Sequence, residues 1–242
     1  MKYVHWNCPD IDGGINQEIA LCFDRSRKNR LLILPALFDE ANKMRRHSVE
    51  LMRRLDLSGI DCFLPDLPGC NESLSPLRQQ SLDSWKDAAG AAARHFAANR
   101  ILTIRAGALL APDGLSGWRQ NPVSGRNILR SMLRAQVISA RENGREVTTE
   151  NLQQTGRNQG LDLAGWSIGP TMFAQLEAAT PADNPLLIDI DQSLLGGSGL
   201  WLRAEPDEDP EQTDALAAII AVSLESTDET AASHRPAREE PL

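Results

Sequence analysis

The sequence predicts an α/β fold, a mostly parallel sheet with helices on both faces and an inserted helical cap. Two observations carry this. Between Arg30 and Gly107 short apolar runs alternate with segments of helical periodicity, the pattern of βαβ units whose parallel strands are buried on both faces. Beyond Pro112 the texture becomes turn-rich and then basic and amphipathic, before the strand-like "PLLIDID" resumes.

Residues 1–24 hold two short alternating stretches, which predict strands, and "RLLILPALF" is a compact apolar run, the third. In "DEANKMRRHSVELMRRLDLSG", Met44, Leu51, Met52 and Leu55 recur at helical spacing and Gly59 follows as a stop signal. "IDCFLPDLPG" predicts a buried strand and turn, "SLDSWKDAAGAAARHFAAN" a helix capped by Ser81 or Asp83, and "RILTIRAGALLAP" another strand. "DGLSGWRQNPVSG" reads as turns. "RNILRSMLRAQVISARENG" predicts a helix with Ile128, Leu129, Met132, Leu133 and Val137 on one stripe and Arg126, Arg130, Arg134 and Arg141 elsewhere. That basic face is either solvated or a site for an acidic partner or anionic surface. "VTTENLQQTGRNQG" reads as loop or short helix, "GLWLRAE" as strand-like, and "PEQTDALAAIIAVSLES" as a last helix. The expected division is 1–117 and 183–226 for the sheet domain, 118–182 for the cap, and a disordered tail over 227–242.

Composition narrows the function classes. With 41% apolar residues in 242 the chain buries a core without staples, and a formal charge of −8 argues against nucleic acid as a partner. Cys8, Cys22, Cys62 and Cys70 form no C-x-x-C pair, so the expectation is packed, reduced thiols, no zinc or other metal site and a reducing compartment. The N-terminus lacks a signal-peptide apolar stretch and no membrane-length apolar run occurs, so a soluble cytoplasmic protein is expected. No cofactor motif stands out.

The stretch "LLILPALFDEANKMRRHSVELMRRLDLSGIDCFLPDLPGCNES" resembles the front half of an α/β-hydrolase. There a strand ends in a loop that supplies part of the oxyanion hole, and a later strand ends in D-x-x-G-x-G-x-S. Here the latter reads Asp66-Leu67-Pro68-Gly69-Cys70-Asn71-Glu72-Ser73, with Asn71 for the second glycine. More narrowly, "LPALFDEANKMRR", "LPDLPGCNES" and "GWRQNPVSGRNILRSMLRA" resemble hydrolase-like proteins associated with exosortase (PEP-CTERM) systems, which sort exported proteins in exopolysaccharide-producing bacteria. The superfamily resemblance implies a nucleophile elbow after the next parallel strand, at Thr103-Ile104-Arg105-Ala106-Gly107. Arg105 occupies the nucleophile's seat. A guanidinium stays protonated and cannot attack a carbonyl, so a catalytically degenerate binding or accessory protein is expected.

The alternative is an esterase or thioesterase. Gly165-Trp166-Ser167-Ile168-Gly169 matches G-x-S-x-G, the sharp strand-to-helix turn that presents a catalytic serine. With Asp189 or Asp191 and then His234 it reproduces the superfamily's Ser, Asp, His chain order. His234 lies in "ASHRPAREE", which has no apolar anchor to hold an imidazole in place. Cys70 with His47 or His95 is a further thiol candidate, while His5, His47 and His95 also read as lone surface or core rings. Asp39, Glu40 and Lys43, Asp66, and Arg105 each follow a parallel strand and so converge at the sheet's carboxyl edge, where such folds bind ligands. A partly buried Arg105 needs a carboxylate from Asp39, Glu40 or Asp66. The cluster is either an ion-paired plug or a pocket for a small acidic ligand held by Arg105 or Lys43. A protein partner fits as well, and oligomeric state is not legible.

Overall fold

The computed structural model of the protein describes residues 1–233. A seven-stranded sheet runs through it, built from β1 (Lys2–Pro9), β2 (Ile15–Phe23), β3 (Arg30–Leu34), β4 (Asp61–Pro65), β5 (Arg100–Ile104), β6 (Ser116–Gln120) and β9 (Leu187–Ile190) in the order 1-2-4-3-5-6-9. β2 runs antiparallel to β1 and β4, and every pairing from β4 to β9 is parallel. The predicted fold class therefore holds.

Alternation along the central strands feeds two cores. Leu32, Leu34, Phe63 and Ile101 face one layer, and Leu31, Ile33, Leu64, Leu102 and Ile104 face the other. The first layer is covered by α2 (Leu82–His95), the second by α1 (Asp39–Leu57) and α7 (Pro210–Ser233). α2 starts at Ser81 through a reciprocal capping box with Ser84, and the buried Trp85 indole donates to the Pro68 carbonyl at 2.9 Å. This pins the β4 loop to the helix.

Between β6 and β9 the chain leaves the sheet and forms α3 (Gly125–Glu142), α4 (Thr149–Gln159), the hairpin β7 (Leu161–Leu163) and β8 (Trp166–Ile168), and α5 (Pro170–Ala178). Their apolar faces, among them Ile128, Leu129, Met132, Met172 and Phe173, join the α2-side core.

Several expectations shift. The expected cap boundary at 118 falls inside β6, so the excursion starts only after Gln120. This strand was hidden as turn-rich sequence because a glycine occupies it: a Cβ on Gly117 would lie 1.8 Å from the Ile101 carbonyl oxygen, so close approach to β5 excludes a side chain. Segment 149–159 is a helix, capped by the Thr148 hydroxyl. "GLWLRAE" forms a 3-10 turn over Leu200–Leu202, not a strand, and the sheet ends at β9. α7 runs to Ser233, through the first residues of the expected tail, and 234–242 lie outside the described residues.

Candidate functional site at the elbow after β5

At the carboxyl end of β5 the chain passes from extended backbone at Ile104 to φ 54° at Arg105, then into a 3-10 turn over Arg105–Leu110. A positive φ costs a non-glycine residue about 1–3 kcal/mol and is held only where its surroundings enforce it. Two residues on, a Cβ on Gly107 would meet the Pro35 and Leu34 carbonyl oxygens at 2.4 and 2.7 Å, so glycine alone lets the turn close over the end of β3. The turn after β5 is thus tight and strained at Arg105. It carries a guanidinium.

The Arg105 side chain is fully engaged. Nε and Nη2 donate to Glu40 Oε2 and Oε1 at 2.9 and 3.0 Å, a bidentate pair, and Nη1 donates to the Asn121 carbonyl at 3.0 Å. The guanidinium also stacks 3.9 Å above the Trp201 ring. Arg105 thus ties β5 to the first turn of α1, to the loop after β6 and to the 3-10 turn after α6 (Gln192–Leu195). Asp39 and Lys43 pair with each other at 2.8 Å, one turn apart. Asp39, Glu40, Lys43 and Arg105 line one cavity of about 190 Å3 with Asn127 and Trp201.

Asp66 departs from this group. Its Oδ1 accepts from Arg45 Nη1 at 2.9 Å and Asn71 Nδ2 at 2.7 Å, within the β4 loop and α1. Of the three candidate carboxylates, Glu40 is therefore the one on Arg105. Nothing in the spacing distinguished it, because Asp39 and Glu40 differ by one helical step and only the register of α1 decides which faces the elbow.

Among the described residues no hydrogen bond joins Ser167 to Asp189 or Asp191. Ser167 sits in the middle of β8, paired in register with Asp162, and not on a strand-to-helix turn. Both motif glycines have other tasks. Gly165, with φ 87°, forms the hairpin turn with Ala164 at φ 49°, the backbone a two-residue hairpin loop demands. At Gly169 a Cβ would lie 2.1 Å from the Arg78 carbonyl oxygen. Among the described residues the Ser167 hydroxyl accepts from Arg78 Nη1 alone, at 3.4 Å. Asp189 is paired with Arg119 on the neighbouring strand, Asp191 is exposed at the start of α6, and His234 lies outside the described residues.

The histidines and thiols are placed for other purposes. His5 and His95 are exposed, and His95 packs against Trp6 and Phe96. His47 is buried between α1, β6 and α7, where Nδ1 stands 3.0 Å from Thr213 Oγ1 and Nε2 3.3 Å from Gln120 Nε2. Burial pushes the Cys70 thiol up to about 12, with Asp66 and Glu18 adding to the rise, so it is no ready nucleophile. No group of three metal-ligating side chains occurs among the described residues. On α3, Arg126, Arg130, Arg134 and Arg141 are exposed.

No family model matches the chain, and no curated protein matches it. Solved structures do. A haloalkane dehalogenase loop variant from Bradyrhizobium elkanii is 12% identical and superposes with a TM-score of 0.60 over 97% of this chain and 100% of its own. The mouse alpha/beta hydrolase domain-containing protein 10 is 8% identical, with a TM-score of 0.55 over 94% and 100%. Est1E from Butyrivibrio proteoclasticus, solved with ferulic acid, is 13% identical, with a TM-score of 0.54 over 92% and 98%. The fold is that of the α/β-hydrolases. At these identities the likeness shows the fold and not the chemistry. Among the described residues no helix is long and apolar enough to cross a membrane.

Proposed function

We propose that this α/β-hydrolase-like protein is catalytically degenerate and acts as a binding or accessory protein. The observation that carries the reading is Arg105 on the elbow, clamped by Glu40, Asn121 and Trp201. Ester cleavage on this fold needs a hydroxyl or thiol on that turn and an imidazole within hydrogen-bonding reach. Arg105 supplies neither, and His5, His47 and His95 are engaged or exposed elsewhere. The likeness of the loop sequences to exosortase-associated proteins supports an accessory role beside exported-protein sorting or exopolysaccharide synthesis, in the bacterial cytoplasm.

The cavity around Arg105 suits a small acidic ligand. A carboxylate or phosphate would take Lys43 from the half-exposed Asp39, which can turn to solvent, more readily than it would take the Arg105 fork from the shielded Glu40. An esterase or thioesterase working through Ser167 is the competing reading, and one experiment separates the two. The purified full chain is offered p-nitrophenyl acetate and butyrate and a fluorophosphonate probe. No turnover above the buffer rate and no covalent adduct are expected, for wild type and Ser167→Ala alike. Labelling that disappears in Ser167→Ala would overturn the proposal.

A further inference from the structure

α3 packs one face into the cap core and leaves the other in solvent. Ile128, Leu129, Met132, Leu133 and Ala140 are buried, whereas Arg126, Arg130, Arg134 and Arg141 are exposed. At about 100° per residue the four arginines fall within about 80° of one another round the helix, a single stripe. Arg126, Arg130 and Arg134 follow each other at about 6 Å along the axis, and Ile138, one turn further, is 53% exposed. Asn127 and Ser131, next round the helix, line the cavity at Arg105, but no arginine of the stripe does.

Among the described residues none of these four guanidiniums has a hydrogen bond, an ion pair or a ring contact. Arginines elsewhere are drawn to carboxylates: Arg25 and Arg27 to Asp56, Arg105 to Glu40 and Arg157 to Glu177. The chain carries 33 Asp and Glu against 25 Lys and Arg, so the stripe is not bare for want of acids. Its members work against the helix that holds them. Like charges at i,i+4 destabilise a helix, and Arg126 stands in a first turn without an acidic residue, at the positive end of the helix dipole. Such a cost, with no compensating contact inside the fold, points outward.

The residue type narrows the partner. All four cations are arginine, whose planar fork meets a carboxylate with two parallel bonds, where a lysine offers a point charge. At physiological salt the screening length is about 8 Å. Neighbouring arginines of the stripe therefore act together, while the acidic remainder of the chain is screened from a ligand narrow enough to lie on the stripe alone. A bilayer or a nucleic-acid duplex is broader and sets its own negative charge against the rest of a chain of net charge −8. A single helix is narrow, and carboxylates at every fourth residue repeat at the same spacing of about 6 Å.

We infer that α3 docks an acidic helix of a partner protein, whose carboxylates, one turn apart, form bidentate pairs with Arg126, Arg130 and Arg134 while an apolar side chain covers Ile138. Exposed ion pairs are individually weak, so the complex is a salt-sensitive one. The inference stands on the stripe and is independent of the ligand proposed at Lys43.

Fluorescence anisotropy of a labelled, hydrocarbon-stapled helical peptide with glutamate at every fourth position reads the affinity for the full chain. Saturable binding is expected, with a dissociation constant of about 10–100 μM at low salt, a loss of about tenfold or more at about 0.5 M salt, and none with glutamine in place of glutamate. The double substitution Arg130→Gln and Arg134→Gln should weaken binding about tenfold or more with no fall in melting temperature, because it relieves repulsion in an exposed stripe. Arg94→Gln, at an exposed arginine of α2, and Lys43→Gln, in the Arg105 cavity, should leave the affinity unchanged, so failure of the small-ligand reading and failure of this one are told apart. No saturation by about 1 mM peptide, or binding indifferent to the double substitution, would overturn the assignment. A lower melting temperature of the double variant would do so too, by making the stripe structural. So would tighter binding to phosphatidylserine vesicles or duplex DNA than to the peptide, or self-association in sedimentation that the double substitution abolishes.

Discussion

Acid should weaken this protein through one histidine. His47 lies on α1 with its ring enclosed by β6 and α7. The Thr213 hydroxyl donates to the Asp209 carbonyl at 2.9 Å, so the neutral ring donates from Nδ1 to Thr213 Oγ1 and accepts at Nε2 from Gln120. Burial lowers His47 from 6.5 to about 4, helped by the Arg54 charge and opposed by Gln120 and Asp209. The sign follows from proton counting. The unfolded chain takes up a proton near pH 6.5 and the folded chain only near pH 4, so stability is present above pH 6.5 and falls as the pH drops between those values. The full loss is about 3 kcal/mol, at roughly 1.4 kcal/mol per pH unit of separation, a large fraction of the total for a domain of this kind. Urea unfolding at pH 4.5, 5.5, 6.5 and 7.5, for wild type and His47→Gln, isolates the effect, because other titrating groups contribute equally to both. The wild type should lose about 2–3 kcal/mol more than the variant between pH 7.5 and 4.5. Parallel stability curves would refute the reasoning and mean that the ring accepts a proton in place, for instance by turning the Gln120 amide so that its unpartnered Oε1 faces Nε2.

Three further outcomes follow from the same packing. Glu40→Gln breaks the bidentate pair with Arg105 and leaves a poorly solvated guanidinium, so it should cost about 2–3 kcal/mol in chemical denaturation, a loss that 1 M salt cannot mimic in the wild type if the pair is shielded. Gly107→Ala drives a methyl group into the Pro35 and Leu34 carbonyls and should lower stability by about 2–4 kcal/mol, read as a drop in melting temperature, whereas Gly165→Ala meets no atoms and suffers only from its positive φ. Burial raises all four thiols, Cys8, Cys22 and Cys70 to about 12. Ellman's reagent at pH 8 should therefore react slowly with native protein and quickly with all four in guanidinium chloride. A fast native equivalent would contradict the raised thiol of the half-buried Cys70.

The elements that strong periodicity announced are those whose side chains must serve one buried face. Met44, Leu51, Met52 and Leu55 could be read as the core stripe of α1 because helix geometry alone brings them together. β6 was not legible for the opposite reason: Gly117 is selected by how near the Ile101 carbonyl lies, a long-range fact with no local periodicity. Chain order likewise made Ser167, Asp189 and His234 look like a triad. Tertiary placement put the serine on a hairpin and the aspartate against Arg119.

By itself the sequence determined the α/β layering and the chemical type of the side chains at the strand ends, since these depend on apolar spacing and on residue type. Tertiary structure alone decided that Glu40 and not Asp39 or Asp66 holds Arg105. It also decided that His47 is shut away from water. Each of these is a question of which side chains meet across segments distant in sequence, and that is settled by packing register rather than by composition.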